Sequence, residues 1–502
     1  MSLDLVIWCM VLVPLAGGLL ALSRGAVRAV MLIVCGTVLI AGVFSGAAIF
    51  RVLTHGPLSA ADGWLFIDGL SAYNLVVMNL IFLLSTGFSV VYFAEEARIG
   101  TFGLKQARMF ASLWCGAMAA MTLVLVSNNL GLMWVGIETT TLTTAFLICV
   151  HESRPSLEAM WKYILICSVG VAFAFMGTLL IAASAQGLDI RTTDLLLWTT
   201  LREHSVQLKP VLVKIAFIFL VVGYGAKAGL APMHNWLPDA HSQAPSPVSA
   251  LFSGFMLNAA LYCIMRYLPI VEGATGGVGW GTGILSIFGL LSIVVAAAFI
   301  LFQQDIKRLL AYHSVEHIGI IALGLGTGGL GTFAALFHTL NHSVCKALSF
   351  LAAGRLGQIF GSHDMKKLSG ALAISPVWGW GLFAGILALV GLAPFSLFIS
   401  EFLLVKALVD KSAWAPLVIF LAGVCIVFVG ALAHAIPIAW GAPEPGVRRQ
   451  KATGAEIALV ALPLALLAVL GVWMPVPLQH AITGAADIIR GLTPATVQGV
   501  QP

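Results

Sequence analysis

Apolar residues run along this chain in long blocks parted by short polar stretches, and the length of the blocks predicts the elements. A helix needs about 20 apolar residues to cross a hydrocarbon core. Blocks of that size predict fourteen helices, near 3–22, 29–50, 70–93, 109–127, 129–150, 159–184, 210–230, 246–268, 280–302, 309–326, 331–354, 373–395, 414–440 and 455–475. A shorter apolar piece around 396–409 continues the twelfth after a break. The expected fold class is an all-α polytopic membrane protein.

Composition sharpens this. The chain has 502 residues, 60% hydrophobic and only 9% charged, where a soluble protein carries about 25% charged residues. The deficit extends over the whole length, which excludes a soluble domain with a membrane anchor. The net charge of +5 belongs to loops beside an anionic leaflet. No basic run interleaves with aromatics, so nucleic acid is not an expected partner. Eight cysteines stand singly in apolar segments, without a C-x-x-C pair. They read as small buried hydrophobes, and no cofactor or metal is expected in this chain. The opening "MSLDLVIWCMVLVPLAGGLL" lacks a basic n-region and reads as the first membrane helix.

Loop charges orient the stack. Fifteen Lys and Arg follow odd-numbered helices: Arg24, Arg28, Arg98, Lys105, Arg108, Arg154, Lys162, Lys307, Arg308, Arg355, Lys366, Lys367, Arg448, Arg449 and Lys451. The opposite side holds about eight. The positive-inside rule makes the first set cytoplasmic and puts both termini outside. The loop "QGLDIRTTDLLLWTTLREHSVQLKP" after helix six then lies outside too.

Gly-Leu-Ala-Pro occurs twice, at 229–232 and 391–394, in helices seven and twelve. The copies lie five helices apart, and an odd number of spans per unit inverts the second copy. Proline removes a helix N–H and clashes with the preceding turn. Both helices are therefore expected to be broken, with carbonyls freed at a depth where only protein or water can meet them. The expected organisation is helices one to three over 1–108, a first inverted repeat of helices four to eight over 109–268, a second of helices nine to thirteen over 280–440, and helix fourteen with a tail over 455–502. Inverted units with a broken helix in each place the ion site of many transporters near the midplane.

A few charges fall inside the apolar blocks. Lys214 is near enough to a helix end to reach the interface; Lys227 and Lys346 are not. Glu138 lies about ten residues into helix five, and Glu401 follows the second break. A central charge costs about 2.5–3.5 kcal/mol on insertion scales, so such residues face a bundle interior and mark function. Glu138 and Lys227 are opposite in sign and are expected to pair; the bland alternative is a static bridge between helices. His338, His342 and Lys346 recur every four residues, hence on one face of helix eleven. That stripe reads as a proton path, because imidazole titrates near neutrality and has two ring nitrogens. Zinc is the alternative, but the sequence offers no third ligand and Lys346 repels a cation. His313, Glu316 and His317 in helix ten, His234 after the first break and lone His434 in helix thirteen are weaker candidates.

"GAKAGLAPMHNWLPDAHSQAPSPVSAL", "DIKRLLAYHSVEHIG", "NHSVCKALSFLAAG" and "ISEFLLVKAL" together resemble the antiporter-like membrane subunits of respiratory complex I, the multisubunit sodium/proton (Mrp) antiporters and the membrane-bound [NiFe] hydrogenases. "IETTTL" and "HESRPSLEAMWKYILICSVG" resemble in particular the component F type of hydrogenase-4 and formate hydrogenlyase complexes. The resemblance implies fourteen helices with inverted repeats, and a translocation path carried by Glu138, Lys227, Lys346 and Glu401, with His338 and His342 across the centre. Asn258 stands in helix eight where many relatives carry lysine; it can orient water but cannot store a proton.

The function expected is that of a proton-translocating subunit, with sodium coupling open, in a redox-driven complex of the bacterial inner membrane. Iron–sulfur and nickel–iron centres would lie in partner subunits, and no redox chemistry is expected in this chain alone. The alternatives are a self-contained cation/proton antiporter, a subunit energising inorganic-carbon uptake, and a redox enzyme that binds quinone directly.

Overall fold

The computed structural model describes residues 3–443 and 445–492. Twelve helices are long and apolar enough to cross a bilayer: Asp4–Leu22, Val27–His55, Gly69–Arg98, Leu104–Val126, Leu130–Ile148, Arg154–Ser184, Pro210–Ala228, Ser246–Ala274, Trp280–Ile300, Ile306–Thr327, Trp414–Trp440 and Gly454–Val472. They are crossings one to ten, thirteen and fourteen. Crossing eleven, Leu330–Phe360, is long enough but diluted by the polar residues it buries. Crossing twelve is two short helices, Pro376–Leu389 and Ser396–Asp410, parted at residues 390–395. Crossing seven likewise stops at Ala228 and resumes as Trp236–Gln243. The fourteen expected crossings are all present.

Sequence signals set the ends. Asp68, Asn129, Ser153, Asp305 and Thr453 accept backbone N–H bonds from the first turns of crossings three, five, six, ten and fourteen, meeting donors that a helix start leaves orphaned. At both breaks a glycine turns left-handed, Gly229 at φ 79° and Gly391 at φ 66°. A side chain rarely adopts that conformation, which is why the shared motif begins with glycine.

Packing in the two units corresponds pair by pair. Four rests on five as nine rests on ten, five on six as ten on eleven, and six on both halves of seven as eleven on both halves of twelve. Small residues allow close approach. A Cβ on Gly223 would meet Ala174 N of crossing six at 2.5 Å, and one on Gly289 would meet Leu323 N of crossing ten at 2.6 Å. This is the small-residue packing of membrane helices, where apolar burial supplies no drive.

The molecule is polar at its centre and greasy outside. Residues 246–271 of crossing eight and 334–354 of crossing eleven are buried without exception. The outer faces of crossings one, two, nine and thirteen carry exposed leucine, valine, isoleucine and phenylalanine. Inside crossing eight the helix widens into one π turn over Phe252–Met256, just before Asn258; such turns frequently occur at functional sites.

Three features were not anticipated. A two-stranded hairpin, Leu58–Ala60 with Leu65–Ile67, joins crossings two and three. The loop after crossing six is not free: Trp198 Nε1 donates to Arg266 O at 2.6 Å and Leu130 N to Leu196 O at 2.8 Å. The tail after crossing fourteen begins with a further helix, Val476–Ile489; residues 493–502 lie outside the described residues. Among the basic residues of the charge-rich loops, Arg108 donates to Arg24 O at 2.9 Å and Asp239 bridges Lys162 and Arg308, at 3.0 and 2.8 Å. The buried Arg266 guanidinium makes a bidentate pair with Asp68, at 2.6 and 2.7 Å.

Candidate functional site

Lys227 occupies the last turn before the first break, and the break explains its position. The helix ends there because Gly229 turns left-handed, and the backbone carbonyls and N–H groups so released are taken up within the protein. Trp236 Nε1 donates to Ala226 O at 2.9 Å, Leu230 N to Gly225 O at 2.9 Å, and Ala231 N to Ser292 Oγ of crossing nine at 2.9 Å. Lys227 itself is fully buried. Its Nζ donates to Thr141 Oγ1 at 3.1 Å and to the Tyr163 hydroxyl, and lies 4.5 Å from the Tyr163 ring centre.

The expected Glu138–Lys227 ion pair is not made. Glu138 Oε1 accepts instead from Ser168 Oγ of crossing six at 2.9 Å, and its Oε2 has no partner. The reason is local: Thr141, three residues on from Glu138, presents a hydroxyl to the lysine from the same helix face, and Tyr163 closes the other side. Thr144 Oγ1 also meets the Tyr163 hydroxyl at 2.5 Å. The carboxylate and the ammonium are thus neighbours held apart by hydroxyl groups on crossings five and six.

Crossing eight separates the two halves of the site. Asn258 Nδ2 donates to Gly254 O and to Ser343 Oγ of crossing eleven, both at 3.0 Å, while its Oδ1 is buried without a partner. Ser253 Oγ meets Ser314 Oγ of crossing ten at 2.7 Å. His241, which the sequence reading passed over, is fully buried with both ring nitrogens unpartnered, and stacks on Phe350 at 4.7 Å. Lys346 Nζ lies 5.9 Å from that same phenylalanine ring.

The second half is denser in titratable groups. Lys346 is fully buried, and its Nζ donates to Leu310 O at 2.5 Å. His313 Nδ1 stands 3.1 Å from Glu316 Oε2, and both are buried. His313 is therefore deep in the protein and not at an end of its helix. His317 Nδ1 lies 2.9 Å from His338 Nε2, and His338 Nδ1 lies 2.8 Å from Ser400 Oγ. His342 is buried beside them, its ring 5.1 Å from that of His317, with neither nitrogen bonded. One ligand atom each of His317, His338 and Glu401 falls within 4.8 Å of the others.

The hydrogen-bond network fixes the protons of this chain. Ser400 Oγ donates to Leu397 O at 2.8 Å, so it accepts from His338 Nδ1–H. His338 Nε2 is then the bare nitrogen and accepts from His317 Nδ1–H. His317 Nε2 is left as a buried acceptor with no partner. Each imidazole is set to take a proton on one nitrogen and release one from the other.

Not every candidate joins this assembly. His234 is buried near Tyr312, with Nδ1 unpartnered. His434 is half-buried on crossing thirteen. Lys214 stands near a helix start with its Nζ 5.2 Å from the Trp280 ring centre. Lys307, assigned to a loop by the charge pattern, is buried and donates to Ala244 O at 2.5 Å and Ser242 O at 3.3 Å, at the C-terminal end of Trp236–Gln243. A cation there meets the carbonyls a helix end leaves unpaired. Tyr163, Ser168 and Ser400 carried no sequence signal; hydroxyl groups are common in membrane helices, and only the fold shows which of them face a charge.

Comparison with known proteins agrees with this architecture. Residues 127–427 match the transmembrane family described as NADH:quinone oxidoreductase/Mrp antiporter. The hydrogenase-4 component F homolog of Methylacidiphilum infernorum (isolate V4) is 40% identical over 347 residues, 69% of this chain and 73% of that protein. Formate hydrogenlyase subunit 3 of Escherichia coli (strain K12) is 30% identical over 417 residues, 78% of this chain but 64% of its own length. A chain of the archaeal membrane-bound sulfane sulfur reductase superposes with a TM-score of 0.85 at 23% identity, covering 97% of this chain and 98% of that one. With the broken helices in place and the family match spanning more than half its length, the chain belongs to the NADH:quinone oxidoreductase/Mrp antiporter membrane family.

Proposed function

We propose that this chain is the proton-translocating subunit of a redox-driven membrane complex of the hydrogenase-4 or formate hydrogenlyase kind. In this reading protons pass through its interior by way of Glu138, Lys227, the Asn258 region, Lys346, His342, His317, His338 and Glu401. The observation that carries the reading is that, among the described residues, neither Lys227 nor Lys346 is in ion-pair contact with a carboxylate. Lys227 is held by two hydroxyls and Lys346 by one carbonyl. A lysine in that setting holds or loses its proton according to where the nearest carboxylate stands. Glu138, held on one oxygen by Ser168 and free on the other, is placed to change that by a side-chain turn.

The scale is adequate. Moving one charge against 100 mV takes about 2.3 kcal/mol, and a shift of one pKa unit is about 1.4 kcal/mol. A rearranged carboxylate near each lysine is of that order. The partners proposed are other membrane subunits and a peripheral redox arm carrying the metal centres. The proposed setting is the bacterial inner membrane, with both termini outside and the arginine- and lysine-rich end in the cytoplasm.

Lys227→Ala tests the reading. The variant complex is expected to assemble, turn over its redox substrate, and lose most proton movement per electron, measured as acidification of inverted vesicles. An unchanged proton-to-electron ratio in an assembled variant would overturn it.

A further inference from the structure

Three side chains from three helices meet around one point: His317 of crossing ten, His338 of crossing eleven and Glu401 of the second half of crossing twelve. One ligand atom of each lies within 4.8 Å of the other two. The sequence alone argued against a metal here, because two histidines one helical turn apart lacked a third ligand. The fold changes both terms of that argument. The relevant pair is His317 with His338, on different helices, and Glu401 supplies the third donor.

We propose that this constellation binds a divalent ion of the zinc class, held by His317 Nδ1, His338 Nε2 and a Glu401 carboxylate oxygen, in the position of the proton the two imidazoles share. Two histidines and one glutamate are a three-ligand zinc set that keeps a fourth position open. The two nitrogens stand 2.9 Å apart, whereas tetrahedral ligation at about 2.0–2.1 Å needs roughly 3.3 Å between them. The rings therefore part by only a few tenths of an ångström. His338 already has the outer partner a ligand needs: its Nδ1–H is fixed on Ser400 Oγ at 2.8 Å, leaving Nε2 bare. On ligation the hydrogen of His317 moves from Nδ1 to Nε2, a buried nitrogen with no competing bond, so the imidazole stays neutral. Glu401 ligates as the carboxylate and offsets one of the two positive charges.

A second group nearby, His313, Glu316 and His317, is comparably close-set, but the charge of Lys346 falls on all three of its members and, in the proposed site, on the shared His317 alone. The Lys346 ammonium rests on Leu310 O, one turn before His313, and repels a cation there. His338 is eight residues from Lys346 on the same helix, roughly 12 Å along the axis. Entry is from the Glu401 side, where 8% exposure remains against 0% at His317 and 1% at His338.

The binding claim stands without the proton reading; a further consequence, that the ion blocks the path, rests on it. The test uses the assembled complex, stripped with a chelator and equilibrated with Zn2+. The expected result is one zinc per chain more than in the His317→Gln or Glu401→Gln complex, with a zinc-edge difference spectrum of two imidazoles and oxygen at about 2.0–2.2 Å. His204→Gln and His434→Gln should keep that zinc. Should the ligand variants fail to assemble, Co2+ added to the unmodified complex should give the visible bands of a four-coordinate N/O site. Equal zinc in all variants, a sulfur-dominated spectrum, or cobalt that stays six-coordinate would overturn the site. Zinc bound at the site with proton movement undiminished would count against the proposed path and leave the metal site standing.

Discussion

At the residue scale, the chemistry of this protein lies in what surrounds each buried charge. Tyr163 is the clearest case. Its hydroxyl meets both Lys227 Nζ and Thr144 Oγ1, so Tyr163→Phe removes the nearer of the two ligands of a buried ammonium while keeping the ring. Loss of such a bond costs about 1–3 kcal/mol. The expected result is a lower midpoint of thermal unfolding in detergent, with proton translocation reduced more than redox turnover. Outside the membrane-spanning segments, His363 shows the same physics with a readable pH sign. Burial, and secondly the charge of Lys307, push its pKa down from 6.5 to about 3. Between those values the folded chain binds fewer protons than the unfolded one, so stability is complete above pH 6.5 and falls as pH drops through the window. His363→Gln should flatten that part of the profile, measured as the difference in unfolding temperature between pH 7.5 and pH 5.

At the scale of elements, the two breaks are the devices that matter. Both needed only the Gly-Leu-Ala-Pro repeat to be foreseen, because glycine and proline act through backbone geometry that no neighbour has to complete. Helix existence was legible for the same reason: about 20 apolar residues need no partner to be recognised. The hairpin at 58–67 and the helix Val476–Ile489 were not, since each is short and owes its conformation to what it packs on. Gly391 ties the second break to the site. A Cβ there would stand 2.2 Å from Glu401 Oε2, on a backbone with φ 66°. Gly391→Ala is expected to displace the glutamate and lose proton translocation as fully as Glu401→Gln does. Gly484→Ala, on a helix face with nothing within 4 Å among the described residues, should be neutral or gain up to about 1 kcal/mol. The pair of unfolding and transport measurements separates strain from general intolerance.

Across the whole molecule, titratable groups are gathered along crossings five to twelve and the lipid-facing surface is left to hydrocarbon. That much follows from the sequence, because an ionisable residue inside an apolar block has to face inward. Who bonds whom did not follow. Glu138 and Lys227 invited pairing by sign, yet the spacing of Thr141, Tyr163 and Ser168 separates them. The triad of His317, His338 and Glu401 is assembled from positions up to 84 residues apart, which no local pattern reports.

The two breaks are alike in sequence but differ in cover. Ala231 is sealed under Ser292 of crossing nine, whereas Leu392, Ala393 and Pro394 open onto the surface. A lipid-soluble maleimide should therefore modify Ala393→Cys over the background of Cys425 and leave Ala231→Cys untouched, as read by mass spectrometry of the intact chain. Two copies of one kink thus differ in access, and a small apolar reagent is expected to reach the second and leave the first unmodified.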